Sequence, residues 1–343
     1  MPPMDYVFNI VLLGVLATFI YVFLKTYLLA KSCHNLEGTW NSLGLIAVVI
    51  LFLGFYVYNS LMEGFPLVPY PFDVLMLGWA GVIFAVQLGF RRFHKSTHPP
   101  PEGYIAKEQF TIRREVARKL THSAILLLIT VPLGVGAAVY AFIDALIKSA
   151  IALNVSIWGI PGLTFPASHA NWLAALFGTL GAFFLLAIPE IFRLFDPQAY
   201  LLAPSVALMR ASEQTSPSAP VLLTLTALVP LAAVSNLSLP LGALTIAVVG
   251  DAFASICGVR YGRHKISFFP AKSYEGLIAG MCSGFVAGVL VLLLGYSIVP
   301  AVILALIGCL VLGAVDLLKI PISDNLLGPI LITVGMCAVS FLL

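Results

Sequence analysis

Charge is scarce in this sequence. Eighteen Lys and Arg and fifteen Asp and Glu among 343 residues make 10% of the chain, where soluble domains carry about a quarter. The deficit excludes a solvated globular domain. With 60% hydrophobic residues and a mean hydropathy of +1.04, it leaves the lipid bilayer as solvent. Cysteine is scarce as well: Cys33, Cys257, Cys282, Cys309 and Cys337 stand apart with no CxxC pair, which argues against a disulfide framework and offers no zinc motif. The opening "MPPMDYVFNI" has no basic residue before its apolar run, and that run is span-length, so a retained helix is expected rather than a cleaved signal. The net charge of +3 says little by itself, and no nucleic-acid partner is expected.

What is abundant is long apolar sequence. Runs able to cross a bilayer, about 17–25 residues each, fall near 5–30, 42–62, 72–90, 121–147, 169–189, 219–236, 239–257, 275–296, 298–316 and 325–343. They predict an all-α polytopic membrane protein of roughly ten transmembrane helices, with 149–166 as a surface or re-entrant segment. Basic residues collect in cytoplasmic connections. On this ten-helix scheme every Lys and Arg except Lys148 falls in or beside an odd-numbered connection. Both termini are therefore expected on the outer side, with the chemically equipped face in the cytosol. The acids Glu115, Glu190, Glu213, Asp251, Glu275, Asp316 and Asp324 belong to that same face, whereas "SNLSLP" and "GYSIVP" on the other are almost free of charge. A secondary transporter places its charges near the midplane and opens to both faces, a poorer fit to this one-sided pattern.

The stretch "GDAFASICGVRYGRHKISFFPAKSYEGLIAG", residues 250–280, holds Asp251, Arg260, Arg263, Lys265, Lys272 and Glu275 in one short connection. Asp251 within an apolar helix is either a functional carboxylate or a helix-end acid paired with Arg260. Ser273 reads as an N-cap, with Glu275 in the first turn against the helix dipole. A helix N-terminus beside Lys272 and Gly-flanked basic residues is a setting for phosphate, and acids nearby suit Mg2+ held together with substrate phosphates. Gly276, Gly280, Gly284 and Gly288 recur every fourth residue, which predicts a small-residue face for close helix packing.

These residues resemble the membrane alcohol kinases, the family comprising dolichol kinase, phytol kinase and CTP-dependent diacylglycerol kinases. The family's nucleotide segment reads approximately G-D-x-x-A-x-x-x-G-x-x-x-G, a basic spacer, then K-[ST]-x-E-G. It is matched here by Gly250, Asp251, Ala254, Gly258, Gly262, Lys272, Ser273, Glu275 and Gly276. Its R-K-x-x-H element is similar to Arg118, Lys119 and His122, its E-x-x-R pair to Glu190 and Arg193, its L-M-R-x-x-E to Arg210 and Glu213, and its acid before D-N-L-x-x-P to Asp316, Asp324, Asn325 and Pro329. Asp316 stands where the family often has Glu. The resemblance covers about 113–343, and the G-H-G-G-x-x-D-R signature of the related phosphatidate cytidylyltransferases is absent. It implies two parts, N-terminal helices and a basic linker over 1–112, function unread, and a kinase-like catalytic domain over 113–343.

The resemblance also implies an activity. The γ-phosphoryl group of CTP, or of another nucleoside triphosphate such as ATP, would pass to a long-chain isoprenoid alcohol, dolichol or another polyprenol before phytol, geranylgeraniol or diacylglycerol. The membrane would be a prokaryotic plasma membrane or an endoplasmic reticulum. Catalytic candidates are Asp251, His122, Arg118, Glu213 and Arg210, with Asp251 and His122 as alternative general bases. Gly258, Gly262, Arg263, Lys272, Ser273, Glu275, Gly276, Lys119 and Arg193 would bind nucleotide. Asp251, Glu213 and Asp324 would hold Mg2+.

Several of these have plainer readings. Arg114, Arg118 and His122 are spaced by four and would stack on one helix face, while Glu115 and Lys119 have the spacing of an ordinary helix pair. Glu190 with Arg193, and Arg210 with Glu213, have i,i+3 spacings common in structural ion pairs. His94 and His98 lie in a Pro-rich polar linker, and Asp73 flanks the turn "GFPLVPYPFD" with no role assigned.

Overall fold

The computed structural model describes residues 4–63, 66–93, 112–152, 169–196, 209–266, 269–318 and 320–343. The described residues form ten α-helices: α1 Met4–Ser32, α2 Leu36–Glu63, α3 Phe72–Phe93, α4 Ile112–Ala152, α5 Ala170–Phe195, α6 Ala219–Ala233, α7 Ser238–Tyr261, α8 Tyr274–Leu292, α9 Ile298–Leu317 and α10 Asp324–Ser340. Each contains or overlaps one of the ten apolar runs. Seven are long and apolar enough to cross a membrane: α1, α2, α3, α5, α7, α8 and α9. The 15 residues of α6 and the 17 of α10 reach only about 22 and 26 Å at 1.5 Å per residue, short of a hydrocarbon layer about 30 Å thick. Of the expected surface segment 149–166, residues 153–166 lie outside the described residues, as do His94, His98 and the side chain of Arg114.

One element departs from the all-helical expectation. Lys265–Ile266 (β1) and Phe269–Ser273 (β2) pair antiparallel between α7 and α8, with Lys265 opposite Ser273. Backbone polar groups leaving an apolar helix must find partners. The ribbon supplies them, and Tyr274 N donates to His264 O at 3.0 Å as the chain enters α8.

Two buried clusters organise the bundle. The larger draws on α1, α2, α3, α5 and α6, with Phe19 packed on Phe183 at a ring separation of 4.8 Å and Phe52, Tyr56 and Phe184 fully buried. The second joins α7, α8, α9 and α10 through Ile246, Leu292, Leu304 and Ile332. The helices of 1–112 thus share a core with α5 and α6 of the later part. A polar knot secures them: the Asn9 amide donates to Asp73 Oδ2 at 2.7 Å and to Val68 O at 3.0 Å, and the Tyr56 hydroxyl donates to Asn9. Asp73 is wholly buried, a position its place beside a Pro-rich turn does not announce.

The tightest helix pair is α7 with α8, and glycine makes it so. A Cβ at Gly276 would lie 2.7 Å from the Ala254 carbonyl and 3.0 Å from Gly258 Cα, and one at Gly280 would lie 2.7 Å from the Gly250 carbonyl. The glycine face expected on α8 therefore packs against Gly250, Ala254 and Gly258 of α7, backbone on backbone. This close approach sets the end of α7 beside the start of α8.

Candidate active site

Charged side chains gather where α4 begins, α5 and α9 end, α10 and the 3-10 helix Ala211–Gln214 begin, and the second half of α7 passes. Glu115, Arg118, Lys119, His122, Glu190, Arg193, Glu213 and Asp316 are all buried. Buried charge in an apolar bundle is costly unless paired, and here the pairs are explicit.

Lys119 of α4 donates to Asp251 of α7, joining residues 132 apart in sequence. This corrects the alternative of an Asp251–Arg260 pair: Arg260 is exposed and lies over the Tyr261 ring. It also corrects the Glu115–Lys119 helix pair, because the Glu115 carboxylate takes both Arg118 donors, at 2.6 and 3.1 Å. Arg118 acts electrostatically on Asp251 and Glu213 as well. His122 is 1% exposed, and its Nε2 has no hydrogen-bond partner. Lys119, Asp251, Arg118 and Asp324 act on it electrostatically.

Lys272, the residue before the N-cap of α8, donates to Asp316 Oδ1 at 2.8 Å and to Asp316 O at 2.9 Å. Ser273 caps α8 as expected, its hydroxyl accepting from Gly276 N at 3.2 Å. Glu275 turns back to the ribbon, its carboxylate receiving His264 N at 3.0 Å and His264 Nδ1 at 2.6 Å. Gly258 and Gly262 back onto this cap: a Cβ at Gly258 would lie 3.4 Å from the Ser273 hydroxyl, and one at Gly262 would overlap it and the Gly258 carbonyl. The geometry gives Gly258, Gly262 and Gly276 a packing duty that positions Lys272 and Ser273. Arg263 is exposed at the rim.

Glu190 and Arg193 form a buried clamp. The guanidinium donates to both Glu190 oxygens, at 2.8 and 2.7 Å, and to the carbonyls of Glu213, Gln214 and Ser216 at 2.8, 3.1 and 2.7 Å. Glu190 Oε1 also accepts from Ser218 N at 2.6 Å. Arg193 thereby moors the segment that carries Glu213. The Glu213 carboxylate accepts from Arg210 N at 3.1 Å, and burial pushes its pKa above the ordinary 4.5 despite the Arg118 charge nearby.

A small cleft of about 320 Å3, counting its open mouth, lies among α6, α7, α9 and α10. Its inner wall is apolar, with Leu223, Ala247, Val248, Leu312 and Val315, and Asp251, Asp316, Asp324 and Asn325 give it a polar side. The short α6 and α10 contribute to its walls. Asp324 Oδ1 accepts from Asn325 N at 3.0 Å, and Ser323 N donates to Asn41 Oδ1 at 2.8 Å, which ties this end of α10 to α2.

The expected Mg2+ set does not assemble. Among the described residues no three His, Cys, Asp or Glu groups could hold a metal ion together. Asp251 and Asp324 share the cleft, but Asp251 is held by Lys119, and Glu213 faces the Arg210 backbone instead. Asp316, noted from the sequence but given no site role, occupies the cleft with them. Its signal was its place eight residues before Asp324, on the helix preceding α10.

Comparison of the chain with protein-family models, with curated proteins and with solved structures gives no match.

Proposed function

We propose that the protein is a membrane-embedded phosphotransferase acting on a lipid alcohol. More particularly, it is read as a CTP-dependent kinase of a long-chain isoprenoid alcohol, dolichol or a related polyprenol, with its charged end in the cytosol. One observation carries the reading. Two sequence elements about 130 residues apart, Arg118–Lys119–His122 and Asp251 with Lys272, converge on one buried charge cluster beside an amphipathic cleft. Phosphoryl transfer demands positioning and charge neutralisation above all, and three buried or half-buried cations within one cluster provide both.

In this reading Lys119, Lys272 and Arg118 take the phosphate oxygens, and Arg210 adds positive charge from the 3-10 helix. The apolar wall of the cleft takes the first carbons of the alcohol. Of the two general-base candidates His122 is preferred, because Asp251 is already committed to Lys119 while His122 Nε2 has no partner. The alcohol oxygen bonds to the γ-phosphorus as its proton passes to Nε2. The bond from phosphorus to the β,γ-bridging oxygen breaks, and CDP leaves.

The test is transfer of label from γ-labelled CTP or ATP by the detergent-purified full chain, with Mg2+ present, to dolichol, phytol, geranylgeraniol and diacylglycerol. Label in the polyprenol supports the reading, and label in another alcohol moves the acceptor. No label in any lipid, from protein shown to be folded, overturns it.

A further inference from the structure

The first turns of α2 touch two of the segments that build the site. Asn35 caps this helix: its Oδ1 accepts from Gly38 N at 2.9 Å, and its Nδ2 donates to Thr215 Oγ1 at 2.9 Å. The Gly38 N–H needs an oxygen, so the amide nitrogen is the atom left facing Thr215. Thr215 directly follows the 3-10 helix that carries Glu213. Gly38 permits the approach, since a Cβ there would lie 2.7 Å from Ser216 Cβ.

Six residues on, Asn41 is 3% exposed and accepts at Oδ1 from Ser323 N at 2.8 Å. A Cβ at Gly44 would lie 2.8 Å from Leu326 Cδ2. Ser323 is the N-cap of α10, whose Asp324 and Asn325 line the cleft. Asn35, Gly38, Asn41 and Gly44 thus make one stripe of neighbours three apart on α2. Ser42 ties the stripe to α1, accepting from Thr26 Oγ1 at 3.0 Å and donating to Gly38 O at 2.8 Å.

A buried amide in an apolar bundle is costly unless bonded, and helix faces can be joined by apolar packing alone. What the amides add is direction, because a hydrogen bond fixes distance and angle. Arg193 holds the carbonyls of Glu213, Gln214 and Ser216 from α5, and Asn35 holds the Thr215 side chain from α2. The Glu213 segment is therefore moored from two sides, and the start of α10 is moored from the same face of α2.

We propose that the α1–α2 hairpin is a working part of the candidate site, with Asn35 and Asn41 as positioning residues that hold the Glu213 segment and the start of α10 in register with Lys119, Asp251 and Lys272. This gives the N-terminal helices a role in the site. The kinetic consequence rests on the phosphotransferase reading, whereas the mooring follows from the contacts of α2.

The experiment compares purified full-length wild type with Asn35→Ser, Asn35→Asp and Asn41→Leu. It reads melting temperature, hydrogen exchange over 209–218 and 320–328 by mass spectrometry, and kcat and KM for label transfer from γ-labelled CTP to the lipid alcohols. Serine keeps a good helix cap but lacks the second arm that reaches Thr215. Aspartate keeps the cap, and its other oxygen can accept from the Thr215 hydroxyl. Asn35→Ser should melt as wild type does, exchange faster over 209–218 and lose about tenfold in kcat with KM for CTP unchanged, the mark of lost positioning rather than lost binding. Asn35→Asp should restore both exchange and kcat. Asn41→Leu, which leaves Ser323 N without its acceptor, should loosen 320–328 and lower kcat in the same way.

Wild-type exchange and kcat in both Asn35→Ser and Asn41→Leu overturn the proposal and leave the kinase reading standing. Faster exchange with unchanged kcat also overturns it, by making the contacts structural only. Should Asn41→Leu fail to fold, the Asn35→Ser and Asn35→Asp pair decides. If folded wild type labels no lipid, the phosphotransferase reading falls, and the exchange data alone uphold or overturn the mooring.

Discussion

Lys272 Nζ lies 2.8 Å from Asp316 Oδ1 and 2.9 Å from the carbonyl of the same residue, bridging the start of α8 and the end of α9. The aspartate is the more buried partner, its side chain 9% exposed against 33% for the lysine. Removing the cation therefore strands a carboxylate, whereas removing both charges does not.

Lys272→Met should abolish phosphoryl transfer and destabilise the fold by about 1–3 kcal/mol, the cost of an unsatisfied buried group. Lys272→Met/Asp316→Asn should recover most of the stability and none of the activity. Thermal unfolding in detergent alongside the transfer assay separates the two roles; recovery of activity in the double variant would show that Lys272 serves only the pair.

At the rim, Arg263→Ala should weaken CTP binding only severalfold, because an exposed charge is screened by water and salt. A loss as large as that of Lys272→Met would place Arg263 on the phosphates. Titration calorimetry with CTP distinguishes these.

Gly276→Val tests the α7–α8 contact. Its Cβ would press on the Ala254 carbonyl and Gly258 Cα, so overpacking of about 1–3 kcal/mol is expected, with loss of activity as the Ser273 cap shifts. Gly54→Ala in α2, where nothing lies within 4 Å, should leave the melting temperature unchanged or raise it. Equal melting temperatures for Gly276→Val and wild type would contradict the packing described.

Arg193→Lys keeps the charge but cannot reproduce the two-pronged bond to Glu190 or reach three carbonyls at once. The segment 209–218 should become sensitive to proteolysis, with destabilisation of about 1–3 kcal/mol, the cost of buried acceptors left without a donor. Limited proteolysis with mass spectrometry reads the cut sites; an unchanged pattern would mean the clamp is dispensable.

Glu213 makes a pH prediction. Burial raises its pKa above 4.5 in the fold, so the folded state holds this proton more tightly than the unfolded chain does. Its favourable contribution is complete below about pH 4.5 and is lost as pH rises through the folded value. Glu213→Gln should flatten the pH dependence of the melting temperature across that window and cost little at pH 7. An unaltered profile would show that Glu213 is not the titrating group.

Much of the architecture was legible in the chain itself. The ten apolar runs became ten helices among the described residues, seven of them long and apolar enough to cross a membrane, because apolar surroundings leave a backbone segment few options but to satisfy its own hydrogen bonds. Serine before "YEG" capped α8 because a short hydroxyl side chain reaches the free N–H groups of a first turn. The glycine repeat announced a close helix neighbour, since only a missing Cβ permits that approach. Such features are local, decided by residues within a turn or two of each other.

Pairings across the bundle were decided only in three dimensions. Sequence spacing offered Arg260 to Asp251 and Lys119 to Glu115, yet Asp251 took Lys119 from 132 positions away and Glu115 took Arg118. Asp73 went from an unremarked turn residue to a wholly buried member of the Asn9–Tyr56 knot. A charge in a bundle must be neutralised by whatever opposite charge the packing brings nearest, and packing follows from how whole helix faces fit. The sequence by itself determined that the chain is built of long apolar helices suited to lipid, with its charge gathered in a few connections between them. Only the tertiary structure decided which cation answers which carboxylate, because that depends on how distant helix faces pack.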